Sequence, residues 1–164
     1  MQEAAKPRSM PLDPVEEAAW RAVARAVLVV PKALDADLIA GCGLNLAEYI
    51  VLVNLSEAPH RTLRMYELAA ESTLTSGGVT RLVARMERQG LVTRGQAEHD
   101  GRGMTATLTA AGLQRLQQAY PAALASVRTN VMDHLADLDL ESFAAAVADF
   151  GQNRHQAAEG PPPA

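Results

Sequence analysis

The feature that most constrains the fold of this chain is a helical repeat of apolar residues that gives way to an alternating one. From residue 79 to 86, apolar side chains recur at i, i+3, i+4 and i+7, which predicts one buried helix face: Val79, Leu82, Val83 and Met86. Gly90 follows where helices commonly end on a left-handed residue. Apolar and polar residues then alternate over 91–94 and 104–108, around a glycine-containing polar tip, which predicts a β-hairpin.

A shorter helical pattern over residues 64–71 precedes this segment, and Thr75 or Ser76 can cap the main helix with a hydroxyl. Helix, turn, helix and hairpin in this order predict a winged helix-turn-helix domain. Such a domain lays its second helix in the major groove of DNA.

Three pieces of sequence stand in a fixed order and spacing: GLNLAEYIVL at 43–52, VTRLVARMERQGLV at 79–92, and the tip DGRG at 100–103 followed by LTAAG at 108–112. Together they resemble the MarR-type (multiple-antibiotic-resistance regulator) transcription factors. The resemblance covers nearly the whole chain apart from its two tails, because long flanking helices are also a family feature. It implies a homodimeric repressor of transcription that binds double-stranded DNA at a pseudo-palindromic operator.

The expected fold is mainly α with a two- or three-stranded β-wing. We expect a disordered tail over 1–11, a dimerisation helix over 12–44, the winged helix-turn-helix over 45–109, further dimerisation helices over 110–156, and a disordered tail over 157–164. Pro31 and Pro121 fall inside helical stretches and predict a kink or a break. The helix after the wing is expected to end near Leu135, and the last helix to run from Leu140 to about His155. The flanking helices carry more apolar surface than one winged helix can cover, which favours a two-fold dimer.

Charge is distributed unevenly along the chain. The net charge is −4, but residues 60–103 hold seven arginines against five acidic residues, or +2, which leaves −6 on the remainder. Because phosphate contacts respond to local charge, a basic segment on an acidic body is compatible with DNA binding. No apolar run reaches the roughly 18 residues that span a bilayer, and residues 1–14 lack the apolar core of a signal peptide. The sequence therefore predicts a cytoplasmic protein with no membrane partner.

The exposed face of the main helix and the hairpin tip supply the candidate DNA contacts, which are Ser76, Gly77, Gly78, Thr80, Arg81, Arg85, Arg88, Asp100 and Arg102. Adjacent glycines cost helix stability relative to alanine, so Gly77 and Gly78 favour close approach of the backbone to DNA; a frayed helix start is the alternative. Arg102 suits the negative potential of a narrow minor groove. The resemblance implies that Asp100 holds an arginine, either Arg102 or Arg85, whereas a plain Asp-Gly turn is the competing interpretation.

The resemblance also implies a small aromatic carboxylate effector between the dimerisation helices and the winged helix. Trp20 could stack on its ring, with Tyr49 and Arg64 as further candidates, although Trp20 would equally serve as core of the dimerisation helices.

Two other functions compete with that of a transcriptional regulator whose DNA binding is controlled by a small ligand. A DNA-incompetent helical dimer acting as a protein-interaction module is favoured by Gly77-Gly78 and the net acidity. A redox-sensing regulator would use Cys42, the single cysteine, but no basic residue flanks it to activate the thiol, which favours a packing role. The four histidines lack metal-ligand spacing, and no catalytic set or phosphate loop is present, so we expect no metal, no cofactor and no enzyme.

Overall fold

The computed structural model describes residues 10–72, 74–96 and 103–150. Six helices are described: α1 (Pro14–Cys42), α2 (Leu46–Glu57), α3 (Met65–Glu71), α4 (Ser76–Arg88), α5 (Ala110–Asn130) and α6 (Leu140–Ala148). The strands are β1 (Thr62–Arg64), β2 (Val92–Gln96) and β3 (Met104–Leu108), and short 3-10 turns lie at Pro59–Arg61 and Met132–His134. The strands form one antiparallel sheet in the order β1-β3-β2. The expected mainly α chain with a small β-wing is confirmed, with three strands.

The long helix α1 begins and ends on local signals in the sequence. Asp13 accepts hydrogen bonds from the backbone N–H groups of Val15 and Glu16, and Pro14 occupies the first turn. The helix continues without interruption through Pro31, so the break considered from the sequence is wrong. A proline removes one backbone hydrogen bond, and α1 tolerates that loss because it packs along α5. Pro121 likewise lies inside an uninterrupted α5.

The end of α5 differs from the expectation. The helix stops at Asn130 and not near Leu135, and a 3-10 turn follows. The Asn130 amide Nδ2 donates to the Ser126 carbonyl oxygen at 3.0 Å and to Asp37 Oδ2 of α1 at 2.8 Å. Asparagine side chains that bond the backbone compete with helix continuation, which accounts for the earlier stop. Helix α6 also ends earlier than expected, at Ala148, and residues beyond 150 lie outside the described part.

The hydrophobic core lies between α2, α3, α4, the sheet and the first half of α5. Its fully buried side chains include Val51, Leu52, Leu55, Leu68, Val79, Val83, Met86 and Val92. From the sequence, the residues of α2 expected to point inward are Leu46, Tyr49, Ile50, Leu52 and Val53, and this expectation is partly wrong. Leu52 is buried as expected, but Tyr49, Ile50 and Val53 are only half-buried, while Val51 and Leu55 are fully buried. Because α2 is apolar nearly all around, its pattern does not single out one face.

Gly112 allows the start of α5 to pack against the wing. A Cβ atom at this position would overlap the carbonyl oxygen of Leu91 and lie 2.7 Å from Leu108 Cδ1. Only a residue without a side chain permits this approach of helix backbone to strand backbone. Thr109 supports the same junction, since its hydroxyl donates to the Gly90 carbonyl oxygen at 2.7 Å and accepts the Gly112 N–H at 3.0 Å.

None of the described helices is by itself long and apolar enough to cross a membrane. Only α1 and α2 taken as a pair meet the criterion of length and composition, and they are bent by 84° relative to each other. Core helices of other proteins meet the same criterion.

Candidate DNA-binding surface

Helix α4 has the two-faced character that its sequence predicts. Val79, Leu82, Val83 and Met86 are all buried, so the predicted apolar face is confirmed. The opposite side is open to solvent at Ser76, Gly77, Thr80, Arg81, Arg85 and Arg88, while Gly78 is half-buried. Thr75 caps the helix by accepting the Gly78 N–H at 3.1 Å, and Gly90 takes the left-handed conformation beyond the other end (φ 73°).

The first turn of α4 carries little side-chain bulk. Neither Gly77 nor Gly78 has a positive φ, so the backbone conformation does not require glycine at either position. Apart from the adjacent residues and the neighbouring backbone of α4 itself, a Cβ atom at Gly77 would meet nothing within 4 Å, whereas one at Gly78 would lie 3.1 Å from Thr75 Oγ1. The Thr80 hydroxyl donates its hydrogen to the Ser76 carbonyl oxygen at 2.9 Å, which leaves it to accept hydrogen bonds from outside.

Arg85 is held by a carboxylate that the sequence analysis did not single out. Its Nε donates to Glu48 Oε1 of α2 at 3.1 Å, and its Nη2 lies 3.1 Å from the same oxygen. The sequence-based alternatives paired Arg85 or Arg102 with Asp100, which lies outside the described residues. The sequence does contain a feature that could have drawn attention to Glu48. It is a glutamate three residues after the capping residue Asn45, in an otherwise apolar helix.

A second ion pair joins α4 to the wing. Arg94 of β2 bonds to Glu87 of α4 through both its guanidinium and its backbone N–H. These hydrogen bonds, more than the burial that opposes them, hold the pKa of Glu87 below its usual value. The wing tip beyond Gln96 is described again only from Gly103, so the roles predicted for Asp100 and Arg102 lie outside the described residues and stay predictions.

The three candidate effector residues lie in different surroundings. Trp20 is 61% exposed on α1. Tyr49 is half-buried on α2, where burial and then the nearby Tyr120 and Cys42 raise its pKa. Arg64 lines an open cavity of about 810 Å³ beside the wing, together with His60, Glu67, Gln96 and Thr105 among others, but Trp20 and Tyr49 are not among its lining residues. The described contacts therefore give no common pocket for all three.

Cys42 lies half-buried at the end of α1, and its thiol donates to the Leu38 carbonyl oxygen at 3.1 Å. Arg115 of α5 donates a hydrogen bond to the Cys42 carbonyl oxygen. The fold thus brings a basic residue close to this cysteine, although none flanks it in the sequence. Within 10–72, 74–96 and 103–150, no group of three histidine, cysteine or acidic residues is arranged to hold a metal ion.

The chain is similar in sequence and in fold to known proteins. The MarR family model matches residues 43–103. Sco3205 of Streptomyces coelicolor, a MarR family transcriptional regulator solved in complex with DNA, is 33% identical, with 85% of this chain and 90% of that chain covered and a TM-score of 0.75. AbsC, another MarR family regulator from the same organism, is 32% identical, with 88% and 97% covered and a TM-score of 0.78.

A curated relative agrees with these structures. The HTH-type transcriptional repressor YetL of Bacillus subtilis is 30% identical over 111 residues, which is 68% of this chain and 66% of YetL. Over the other curated relatives the match spans 50–59% of their length. The family model, the winged-helix architecture and the two well-covered structures agree. The chain belongs to the MarR family of winged helix-turn-helix transcriptional regulators.

Proposed function

We propose that this protein is a homodimeric repressor that binds a pseudo-palindromic operator in double-stranded DNA through α4 and the wing. The observation that carries the proposal is the solvent-exposed arginine face of α4, with Arg81, Arg85 and Arg88 on one side of a helix whose other side is buried. The DNA complex of Sco3205 and the name of YetL as a repressor support the same function.

The dimer is proposed from the apolar side chains that the chain leaves exposed on its flanking helices. They include Val15, Trp20, Val27 and Leu28 on α1, Tyr120, Leu124 and Val127 on α5, and Leu140, Phe143 and Val147 on α6. Helix α6 has no buried residue. A surface of this kind favours association, and a second copy of the chain is the partner that covers both ends at once.

Electrophoretic mobility shift with the DNA upstream of the protein's own gene tests the proposal. One α4 per subunit predicts two half-sites about 10 bp apart, centre to centre. The competing function, a DNA-incompetent dimer that serves as a protein-interaction module, is supported by the missing side chains at Gly77 and Gly78. It predicts no retarded band at low salt with any duplex, including a randomised pool.

We further propose that an aromatic carboxylate releases the protein from DNA, with Trp20, Tyr49 and Arg64 as the residues to test. A ligand can regulate only through different affinities for the DNA-bound and free states. Salicylate-like acids are therefore expected to quench Trp20 fluorescence and weaken operator binding over the same concentration range. Peroxide that weakens operator binding in the wild type but not in Cys42→Ser would instead favour redox sensing through Cys42.

A further inference from the structure

Glu48 is a buried charge in a helix whose other buried residues are apolar. It is 6% exposed, beside Val51, Leu52 and Leu55 on the same helix. Burying a carboxylate is unfavourable unless its oxygens find partners. Both oxygens of Glu48 have them: Oε2 accepts the Asn45 N–H at 3.1 Å, and Oε1 accepts from Arg85 of α4. The carboxylate therefore joins the start of α2 to the exposed face of α4.

The backbone that carries Glu48 is itself held firmly. Asn45 Oδ1 accepts the Glu48 N–H at 2.8 Å, which completes a capping box at the start of α2. The backbone N–H of Leu46, the first residue of α2, donates to Asp35 Oδ1 of α1 at 2.8 Å. Glu48 thus projects toward α4 from a helix end that α1 holds in place.

The Arg85 guanidinium is held by Glu48 along the edge formed by Nε and Nη2, while the side chain remains partly exposed to solvent. Its side chain is 46% exposed, against 7% for the side chain of Glu48. It shares the exposed face of α4 with Arg81 and Arg88, which lie one turn before and one turn after it. The N-terminal residues of a recognition helix contact base edges. A residue beyond the middle of the 13-residue α4 is therefore better placed for the phosphate backbone.

We propose that Glu48 is a positioning residue that holds Arg85 in the orientation in which its guanidinium contacts a backbone phosphate of DNA. This inference rests on the proposed function. An arginine already restrained in the free protein loses less rotamer freedom on binding, and this loss otherwise weakens association. Glu48 therefore raises DNA affinity although its own charge is repelled by phosphate.

Positioning and simple electrostatics predict opposite signs for Glu48→Gln. Removing a negative charge near DNA should tighten binding if only charge matters. If Glu48 orients Arg85, the substitution should weaken binding about two- to tenfold, the cost of immobilising one long side chain. Because backbone contacts carry no sequence information, the loss should be similar for a preferred and a random duplex.

The experiment uses the full-length protein and two fluorescent duplexes of equal length, one selected by the wild type from a randomised pool and one of random sequence. Anisotropy titrations over a salt series give the affinity and its salt dependence. Arg85→Gln should lower the slope of log K against log[salt] by about 0.9, one phosphate's worth of released counterion. Glu48→Gln should weaken binding with the slope unchanged, because both arginine and phosphate keep their charges.

The double variant separates positioning from a general effect on the fold. If Glu48 acts through Arg85, Glu48→Gln should cause no further loss in the Arg85→Gln background. The matched control is Asp37→Asn, which alters the contacts of α1 with Ser126 and Asn130 of α5, away from α4, and should leave DNA affinity unchanged. Where Glu48→Gln fails to fold, Arg85→Lys keeps the charge without the Nε donor and should weaken binding at an unchanged slope.

Tighter binding by Glu48→Gln, an equal loss with and without Arg85, or an unchanged salt slope in Arg85→Gln would each overturn the positioning role. If the wild-type protein selects no duplex from the pool, the proposed function fails first, and the inference fails with it. A protein that selects a duplex but shows any of the three contrary results remains a DNA-binding regulator without this device.

Discussion

Arg94 and Glu87 join the wing to α4 at two points. The Arg94 Nε lies 2.6 Å from Glu87 Oε2, and the Arg94 backbone N–H donates to Glu87 Oε1 at 3.0 Å. The backbone bond fixes β2 itself, so the carboxylate holds the strand and not only a mobile side chain. The position of the wing relative to α4 is therefore set partly by one carboxylate near the end of the helix.

This link predicts a pH dependence of stability that Glu87→Gln removes. A carboxyl group whose pKa is lowered on folding stabilises the folded state above its unfolded pKa, about 4.3 for glutamate, and this contribution is lost as the pH falls through the folded value. Urea unfolding should show the wild type more stable than Glu87→Gln at pH 6, with the difference shrinking below about pH 4.3. Glu57→Gln, at an exposed glutamate of α2, is the control and should show a smaller difference at pH 6. A gap between the wild type and Glu87→Gln that stays constant down to pH 3 would contradict the link.

Gly77→Ala should separate folding from DNA binding. Beyond the adjacent residues and the neighbouring backbone of its own helix, the added methyl group meets no atom within 4 Å. Alanine is favoured over glycine in helices by up to about 1 kcal/mol, so thermal unfolding should occur at the same or a higher temperature. If the bare backbone approaches DNA closely, the same variant should bind DNA more weakly. Unchanged affinity for the selected duplex would favour the alternative of a helix start where glycine is merely tolerated.

Gly78→Ala is the natural companion to that variant. Its added methyl group would lie 3.1 Å from the capping oxygen of Thr75, so the helix-propensity gain should be smaller than at Gly77.

Helices α4 and α2 show what the sequence could and could not predict. The two faces of α4 follow from the spacing of its apolar residues, and the structure confirms them. The inward face of α2 did not follow, because apolar residues surround that helix and only its packing into the core, with α1, α5 and β3 as neighbours, selects Val51 and Leu55. The same packing buries Glu48. No local pattern in α2 predicts that its partner, Arg85, lies 37 residues later on another helix.

Helix interruptions and ends were also harder to predict than the faces of α4. Pro31 is a helix breaker by local rules, yet α1 continues through it because contacts with α5 outweigh one missing hydrogen bond. Asn130 was not marked as a stop, yet its side chain bonds to Ser126 and Asp37 where α5 ends. In both cases a neighbouring helix, distant in the sequence, decided the outcome.

Gly112→Ala should destabilise the winged helix strongly. Its methyl group would overlap the Leu91 carbonyl oxygen, which belongs to the backbone and cannot rotate away as a side chain can. Overpacking usually costs about 1–3 kcal/mol, and a backbone clash falls at the upper end or above. Urea unfolding measures the loss, with Gly77→Ala as a control for the same chemical change in open space. A loss below about 0.5 kcal/mol would mean that α5 can shift away from the wing at little cost.

Trp20 provides a test of the proposed dimer. In the single chain this side chain is 61% exposed, and it is the one tryptophan of the sequence, so its fluorescence reports one position. If the flanking helices form the dimer interface, Trp20 emission should shift to longer wavelength as dilution separates the subunits. Large aromatic side chains in interfaces often contribute about 2 kcal/mol or more, so Trp20→Ala should raise the dimer dissociation constant at least about tenfold.

Tyr66→Ala is the matched control, because Tyr66 is similarly exposed (65%) but lies on α3, outside the flanking helices. Sedimentation equilibrium gives both dissociation constants. Equal values for the two variants, together with emission that does not change on dilution, would place Trp20 outside the interface and leave it available to an aromatic ligand.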